Sequence, residues 1–335
     1  MFIEIKDLDI SENRFTRNGL PISGNQESLY INLYRGVLHR HFEVIRDTEL
    51  IKIDNDISEY TRFHLLPLLL DSGAKAEEAL SFLQIDEEKI KSALTNYSEE
   101  NMWYTSNVHM GALAAVSVLK RDNLNSLALQ LIENLDRKCF TSTKWKYKGS
   151  INRIAAFYHY VPYIDTYNIK ISERTKEILF TDLKGLQNTL GSFCSPNGFS
   201  CMELDSVVVA AYLKKFGLDT EDLLKNKLFN HLSNFDSGWP LYGMSSGYLN
   251  EINDIFSSSV FIQDKLWNLK KIFFDIRKLQ FDNGHAELVS KAHDKTLMSN
   301  YFGLVTYMQL VQALGIAEEN NLKMFNSYGL SYVVV

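Results

Sequence analysis

Apolar and polar residues alternate with helical periodicity over most of the chain after about residue 60. The clearest example is the segment from about Asp294 to Leu314. Its apolar side chains recur at three- and four-residue intervals, at Leu297, Tyr301, Leu304, Val305, Met308 and Val311. Gly315 follows this segment and suits the position after a helix C-terminus, because glycine tolerates positive φ. The pattern predicts a chain built mainly from amphipathic helices.

Local start and stop signals place the other helices. Asp86 is expected to cap one of them through its carboxylate, and either Ser106 or Asn107 is expected to cap the most apolar one. Helices are predicted over residues 87–94, 108–119, 124–135, 151–161, 203–216 and 221–232. Residues 1–60 show turn signals and little periodicity, so we expect them to form an irregular, peripheral segment before a single helical domain over 61–335.

Three segments in the C-terminal half share one arrangement: a helix, a short loop with a small polar residue before glycine, and a second helix. The glycines are Gly198, Gly238 and Gly284, spaced by 40 and then 46 residues. Repeats of about 20–50 residues are typical of stacked structural units. A helix pair of this kind buries its apolar face only against its neighbours. The pattern therefore predicts a domain of stacked antiparallel helix pairs.

Composition narrows the possible partners and location. The chain has 335 residues, 45% of them hydrophobic, and only 5 prolines, which suits long helices. The net charge of −6 and the lack of a basic stripe argue against nucleic acid as a partner. No segment is long and apolar enough to span a membrane, and the N-terminus lacks the apolar run of a signal peptide. We therefore expect a cytoplasmic location; the oligomeric state stays open.

The three repeats resemble those of the terpenoid cyclase and protein prenyltransferase superfamily. The resemblance covers residues 150–315 and rests on Leu186-Gln187 with Asn197-Gly198-Phe199, on Asp236-Ser237-Gly238-Trp239, and on Leu279-Gln280 with Asp282-Asn283-Gly284. It implies an all-α fold, the (α/α)6 barrel or toroid, whose inner helices surround a central hydrophobic cavity. A small apolar molecule, such as an isoprenoid, would be the partner bound there.

The best-known catalytic motifs of that superfamily are missing. The chain has no Asp-x-Asp-Asp acid motif, no Asp-Asp-x-x-Asp magnesium motif and no Asp-x-Cys zinc motif; Asp54-Asn55-Asp56 is only Asp-x-Asp. Neither terpene cyclisation nor protein prenylation is therefore carried over. The expectation is a terpenoid-cyclase-like enzyme of lyase or isomerase type that acts on a small apolar substrate by acid–base chemistry.

Asp205 is the first candidate for a catalytic acid. It lies one helical turn after Cys201, on a face that continues through Val208 and Tyr212. A carboxyl group on an apolar face that borders a cavity would have a raised pKa and could donate a proton. The alternative is that Asp205 or Glu203 caps the helix N-terminus.

His159 is expected to assist Asp205, because imidazole is the usual proton carrier near neutral pH. Cys201 is the third catalytic candidate. Together with Asp205 these residues could also form a zinc set, but no Cys-x-x-Cys or His-Glu-x-x-His spacing supports one, so no cofactor is expected. Five further side chains are expected to contact the substrate, with space filling as the alternative: Tyr158, Tyr212, Trp239, Tyr242 and His285.

Two other function classes stay open. Asn107-Val108-His109 is loosely similar to the Asn-His region of α/α-toroid polysaccharide lyases, in which Asn neutralises a uronate and His or Tyr abstracts a proton. Helix capping is the alternative for Asn107. The second class is a non-catalytic helical-repeat protein that presents a concave surface to a binding partner.

Overall fold

A computed structural model provides the fold. It describes residues 2–5, 49–52, 58–71, 74–96, 102–142, 149–189, 191–193, 201–236, 305–306, 309–315, 332 and 334. Helices make up most of this part of the chain, which confirms the expected predominance of α-helix. None of the described helices is both long and apolar enough to cross a membrane.

The described part contains two short strands and ten α-helices. The strands are β1 (Phe2–Ile5) and β2 (Glu49–Lys52). The helices are α1 (Glu59–Asp71), α2 (Ala76–Phe82), α3 (Glu87–Thr95), α4 (Met102–Leu119), α5 (Asp122–Asn134), α6 (Gly149–Tyr158), α7 (Val161–Thr166), α8 (Glu173–Leu186), α9 (Cys201–Lys215) and α10 (Glu221–Asp236). A π-helical turn (Leu135–Cys139) follows α5.

The strands pair antiparallel, with Phe2 opposite Lys52 and Ile5 opposite Glu49. This pairing lies within the N-terminal segment that the sequence analysis describes as irregular. Each strand has four residues, and the two lie far apart along the chain. Periodicity over so few residues carries little signal, so the local pattern did not predict the pair.

Several helix ends follow the expected signals. The Asp86 side chain accepts a hydrogen bond from the Lys89 backbone N–H at 2.9 Å, which confirms it as the N-cap of α3. Pro162 lies in the first turn of α7, where backbone N–H groups have no partner within the helix. The N–H group that proline lacks therefore removes no hydrogen bond from the helix. Gly315 has φ +66°, as expected for a residue that ends a helix.

The start of α4 differs from the prediction. The helix begins at Met102, not at 108, so Ser106 and Asn107 lie inside it and cap nothing. Their side chains instead bond the imidazoles of His159, which follows α6, and of His64 on α1. Because Ser106 and Asn107 hydrogen-bond to other parts of the protein, their side chains do not compete for the backbone hydrogen bonds of α4, and the helix continues past them.

Four helices pack one against the next in the order α1, α4, α6, α9. The helices between them in sequence cover this series: α3 and α5 pack on α4, α8 packs on both α6 and α9, and α10 packs on α9. In chain order, one or two helices of the described part separate each member of the series from the next, and the short helices α2 and α7 are the additional ones. The core between them is rich in buried aromatic side chains, among them Phe63, Phe140, Phe157, Tyr158, Tyr160 and Tyr212.

The helices α1 and α4 approach very closely at one point. A Cβ atom added to Gly111 would lie 1.9 Å from the backbone oxygen of Phe63. Backbone atoms cannot move aside as the end of a flexible side chain can, so this contact requires glycine. The close approach brings the N-terminal half of α4 against α1.

The first of the three glycine-punctuated repeats is partly described. Its flanking helices are α8, which ends at Leu186, and α9, which begins at Cys201, as the sequence predicts. The Gln187 amide donates to the backbone oxygens of Gly191 (3.1 Å) and Leu223 (2.8 Å), which ties the segment after α8 to α10. The three repeat glycines Gly198, Gly238 and Gly284 lie outside the described residues.

Candidate functional site

Asp205 is the fifth residue of α9, and its side chain is buried, with only 3% of the residue exposed. Its neighbours along the helix, Leu204 and Val207 to Val209, are fully buried and apolar. The structure shows no hydrogen bond or ion pair from this carboxyl group to any other side chain of the described chain. Burial raises its pKa well above the usual range for Asp, which favours the protonated form, and a hydrogen bond to its own backbone opposes this shift in part.

Neither acid near the start of α9 caps the helix. Asp205 lies beyond the first turn, where capping is geometrically excluded. The Glu203 carboxylate accepts hydrogen bonds from Ser192 Oγ at 2.6 Å and from the Phe193 backbone N–H at 3.1 Å. It also pairs with Lys227 Nζ at 2.7 Å, with both side chains buried. Glu203 therefore joins the segment after α8 to α9 and α10, and the pairing of two opposite charges accounts for its burial.

His159 immediately follows α6 and is buried. Its Nδ1 lies 2.8 Å from Ser106 Oγ on α4, and its ring lies 5.3 Å from that of Tyr158. Burial, followed by the proximity of His64, lowers the pKa of His159 to about 3. The imidazole is therefore neutral at neutral pH and can accept a proton.

A second imidazole lies next to this pair. His64 Nδ1 on α1 lies 3.1 Å from Asn107 Oδ1 on α4, and burial lowers the pKa of His64 to about 4. We call His64, Ser106, Asn107 and His159 the imidazole cluster. It forms where α1, α4 and the end of α6 meet, and it pairs each imidazole with a polar group of α4.

The imidazole cluster connects to the surface through a stack of aromatic rings. The ring of Tyr60 stacks on His64, with centroids 5.6 Å apart, and on Tyr104, with centroids 4.6 Å apart. Tyr104 is 42% exposed, whereas Ser106 and Asn107 are buried. The stack therefore places packed aromatic rings between the exposed Tyr104 and His64.

The sequence analysis singled out His159 and Asn107 but gave no functional role to His64 or Ser106. A signal for His64 was present: a lone histidine stands in the otherwise apolar run Phe63-His64-Leu65-Leu66 on α1. A buried polar side chain in such a run requires a partner. The identity of that partner depends on helix packing, which the local sequence does not contain.

The structure does not join the predicted catalytic residues into one hydrogen-bonded group. His159 follows α6, and α6 packs against α9, which carries Asp205, but the structure shows no hydrogen bond or ion pair between these two side chains. Tyr212 is buried on α9, with its ring 5.6 Å from Phe157, and burial raises its pKa. The Cys201 side chain and the whole of Trp239, Tyr242 and His285 lie outside the described residues.

Asn107 and His109 have different partners. His109 Nδ1 lies 2.7 Å from the Tyr160 hydroxyl, and its Nε2 lies 3.2 Å from the Asn96 backbone oxygen. Burial lowers the pKa of His109 to about 4 and raises the pKa of Tyr160. The lyase-like grouping of Asn107 and His109 is therefore split between the imidazole cluster and a separate His–Tyr pair.

No group of three or more His, Cys, Asp or Glu side chains within the described ranges is arranged to hold a metal ion. Comparison of the chain with protein families, with curated proteins and with solved structures gives no match. Function is therefore argued from the geometry of Asp205 and of the imidazole cluster.

Proposed function

We propose that this protein is an (α/α)6-toroid enzyme of terpenoid-cyclase type, which moves protons to and from a small, apolar substrate. Asp205 is the general acid and His159 the general base. The observation that carries the proposal is the Asp205 carboxyl group, which is buried among apolar residues without a side-chain partner. The carboxyl group has a hydrogen bond to its own backbone, but burying a carboxyl group away from water without an ion-pair partner is still costly. Groups kept at such a cost are concentrated at functional sites.

The environment of Asp205 suits proton donation. Its raised pKa favours the protonated form of the carboxyl group, which is the form that can donate a proton. Burial lowers the pKa of His159, so the imidazole is unprotonated at neutral pH and is a weak base that takes a proton only from a strongly acidic group such as a carbocation. A pair of titratable groups whose environments drive their pKa values apart is typical of an acid–base site.

The order of helix packing supports the toroid. In an (α/α)6 barrel, inner helices contact one another around a ring and outer helices connect and cover them. The series α1, α4, α6, α9 and the covering helices α3, α5, α8 and α10 resemble this arrangement, with the short helices α2 and α7 in addition. The glycine-punctuated repeats of the C-terminal half extend the same pattern along the chain.

An apolar alkene is the substrate class that matches these residues. The proton of Asp205 adds to one alkene carbon and leaves a carbocation at the other. Loss of a different proton to Nδ1 of His159, through the Ser106 hydroxyl, gives an isomerised or cyclised product without any co-reactant. Aromatic faces stabilise such cations, a role we assign to Tyr158 and Tyr212 and to Trp239, Tyr242 and His285. Cys201 is retained as a further candidate for the base.

The test uses deuterium transfer from solvent. Purified protein in D2O would be incubated with farnesol, geranylgeraniol and squalene in mild detergent, and the extracted products analysed by gas chromatography and mass spectrometry. We expect a product with deuterium on carbon for the wild type and none for Asp205→Asn. His159→Gln should lower the rate about 10²-fold or more. Asp122→Asn, on the exposed start of α5, is the matched control and should behave as the wild type. Full incorporation in both Asp205→Asn and His159→Gln would refute the assignment.

One observation favours a second candidate, a polysaccharide lyase. The His109–Tyr160 hydrogen bond places a histidine and a tyrosine together, which is the pair that such chemistry uses to abstract a proton. Alginate, chondroitin and pectate would be the probes, with ultraviolet absorbance of the new double bond as the signal. A double-bond product that disappears in Tyr160→Phe would support this candidate over the first. Absence of turnover in both assays would leave the third expectation, a non-catalytic helical-repeat binding protein.

A further inference from the structure

Tyr332 and Val334 are buried although they belong to no described helix or strand. Only 3% of Tyr332 and 4% of Val334 is exposed. Side chains two residues apart lie on the same side of an extended segment, so this spacing is that of a segment with one buried face. We call the segment that carries these two residues the strap.

The side-chain amide of Gln309 bonds to the backbone of the strap. The Val334 N–H donates to Gln309 Oε1 at 2.7 Å, and Gln309 Nε2 donates to the Val334 backbone oxygen at 3.3 Å. Gln309 is itself fully buried. One carboxamide thus pairs with both backbone groups of one residue, as a neighbouring strand would. Main-chain pairing combined with burial of alternate side chains is the way in which many proteins bind extended peptides.

Tyr332 provides the side-chain contact of the strap. Its hydroxyl group donates to Asp165 Oδ2 on α7 at 2.6 Å, and Asp165 Oδ1 accepts from Lys215 Nζ at 2.7 Å. The Asp165 side chain is only 4% exposed. A hydrogen bond to a charged group is stronger than one between neutral groups, so the carboxylate selects a residue with a hydroxyl donor at this position.

Two successive lysines at the end of α9 hold the two sides of this site. Lys215 pairs with Asp165, as described above, and Lys214 Nζ donates to the Ala313 backbone oxygen at 2.9 Å. Ala313 belongs to the same short helical stretch as Gln309. These two contacts do not involve the strap, so the carboxylate and the carboxamide are held in place independently of it.

We propose that Asp165 and Gln309 form a peptide-recognition site, and that the strap occupies it as a ligand which a second peptide of the same chemistry can displace. The ligand class is an extended segment with a tyrosine two residues before a β-branched apolar residue. The tyrosine donates to the carboxylate, and the backbone of the second residue pairs with the carboxamide.

The test measures binding of a fluorescein-labelled, amidated peptide with the sequence of residues 329–335 to the full chain, by fluorescence anisotropy. Tyr332→Ala removes the side-chain contact of the strap and opens the site. A tethered segment competes at an effective concentration on the order of millimolar, so the peptide should bind Tyr332→Ala about tenfold or more tightly than the wild type. A peptide that carries Tyr332→Phe should bind more weakly. A peptide N-methylated at the position of Val334 lacks the N–H donor and should not bind.

Gln309→Met and Gln312→Met provide the matched comparison, each combined with Tyr332→Ala. Methionine has nearly the length of glutamine but cannot pair with a backbone, so Gln309→Met should abolish peptide binding. Gln312 lies on the same helical stretch, and its Oε1 has no hydrogen-bond partner within the described residues. Gln312→Met should therefore leave the affinity unchanged.

A second variant guards against a folding defect in Tyr332→Ala. Val334→Pro removes the N–H that Gln309 accepts, keeps Tyr332, and should also bind the peptide more tightly than the wild type. Loss of the helical circular dichroism signal in both variants would show that the strap is a fixed part of the core and would overturn the proposal. Equal affinity for the wild type and Tyr332→Ala, no binding to folded Tyr332→Ala, or binding that survives Gln309→Met would do the same. None of these measurements involves Asp205 or His159, so their outcome is separate from that of the deuterium assay.

Discussion

Lys227 and Glu203 form an ion pair that is buried on both sides. Lys227 Nζ lies 2.7 Å from Glu203 Oε2, and the two side chains are 0% and 1% exposed. Lys227 also donates to Asn230 Oδ1 at 3.2 Å, and Glu203 accepts two further hydrogen bonds from Ser192 and Phe193. The pair joins α9 to α10 and anchors the segment that leads into the first glycine repeat.

Removal of one partner should destabilise the protein strongly. Lys227→Met leaves the Glu203 carboxylate buried without its counter-charge, and such a loss typically costs about 3–5 kcal/mol. The measurement is urea unfolding at pH 7, followed by far-ultraviolet circular dichroism. The double variant Lys227→Met with Glu203→Leu removes both charges and should recover a large part of the loss.

The exposed pair Lys75–Glu78 provides the control for this experiment. Its nitrogen and oxygen lie 3.2 Å apart, but the side chains are 82% and 49% exposed. Lys75→Met should change the free energy of unfolding by less than about 0.5 kcal/mol. If Lys227→Met costs no more than Lys75→Met, the buried pair does not hold α9 and α10 together as described.

Gly111 and Gly185 should respond to alanine in opposite directions. A Cβ at position 111 on α4 would overlap the Phe63 carbonyl oxygen of α1, so Gly111→Ala must push the two helices apart and should cost about 3 kcal/mol or more. A Cβ at position 185 on α8 meets nothing within 4 Å, so Gly185→Ala should stabilise the helix by roughly 0.5–1 kcal/mol. Thermal and urea unfolding of the two variants measure both effects. A neutral Gly111→Ala would contradict the close packing of α1 on α4.

The helices could be predicted from the sequence because their signals are local. Asp86 caps α3 as its spacing indicates, and apolar periodicity places α5 and α9 within a few residues of their observed bounds. The start of α4 could not be placed in this way. Ser106 and Asn107 are residue types that often cap helices, but they bond to His159 and His64, which belong to other parts of the fold.

The roles of the acids in the candidate site also could not be predicted from the local sequence. Glu203 and Asp205 both have the pattern of acids near a helix N-terminus, and sequence spacing alone gives them similar roles. Their different environments depend on Lys227 of α10, which reaches Glu203 and leaves Asp205 with apolar neighbours. Long-range packing decides which carboxyl group has a buried counter-charge and which does not, and the local sequence does not contain that information.

The buried imidazoles should make stability depend on pH below neutrality. Burial lowers the pKa of His109 to about 4 in the folded state, whereas an unfolded histidine titrates near 6.5. The unfolded state therefore binds more protons between these values. The stabilisation is complete above about pH 6.5 and is lost as the pH falls towards 4. For His109 alone the loss at pH 5 is about 2 kcal/mol.

His109→Gln tests this dependence, because glutamine can still hydrogen-bond to Tyr160 but does not titrate. The variant should be less stable than the wild type at pH 7.5, since the fit of the side chain is imperfect. The difference between the two proteins should shrink by about 2 kcal/mol between pH 7.5 and pH 5. Urea midpoints at both pH values measure it. A difference that is the same at both pH values would show that His109 is not buried in its neutral form.

Asp205→Asn should stabilise the protein at neutral pH, which distinguishes a functional carboxyl group from a structural one. The pKa of Asp205 is raised in the folded state, whereas an unfolded Asp titrates at about 3.9. At pH values above about 3.9, the folded protein therefore holds more of this proton than the unfolded chain does. The contribution of the carboxyl group to stability is fully present below that value and is lost as the pH rises through the folded pKa. Asparagine has nearly the same shape and stays neutral at every pH, so the variant should be more stable than the wild type by about 1–3 kcal/mol at pH 7 and similar to it at pH 4.

Urea unfolding of Asp205→Asn at the two pH values measures its stability, and the deuterium assay measures the catalytic activity of the same variant. Loss of catalysis together with a gain in stability is expected of a residue kept for its chemistry. If the variant instead loses stability equally at both pH values, Asp205 contributes to the packing of α9, and the role of acid falls to another residue.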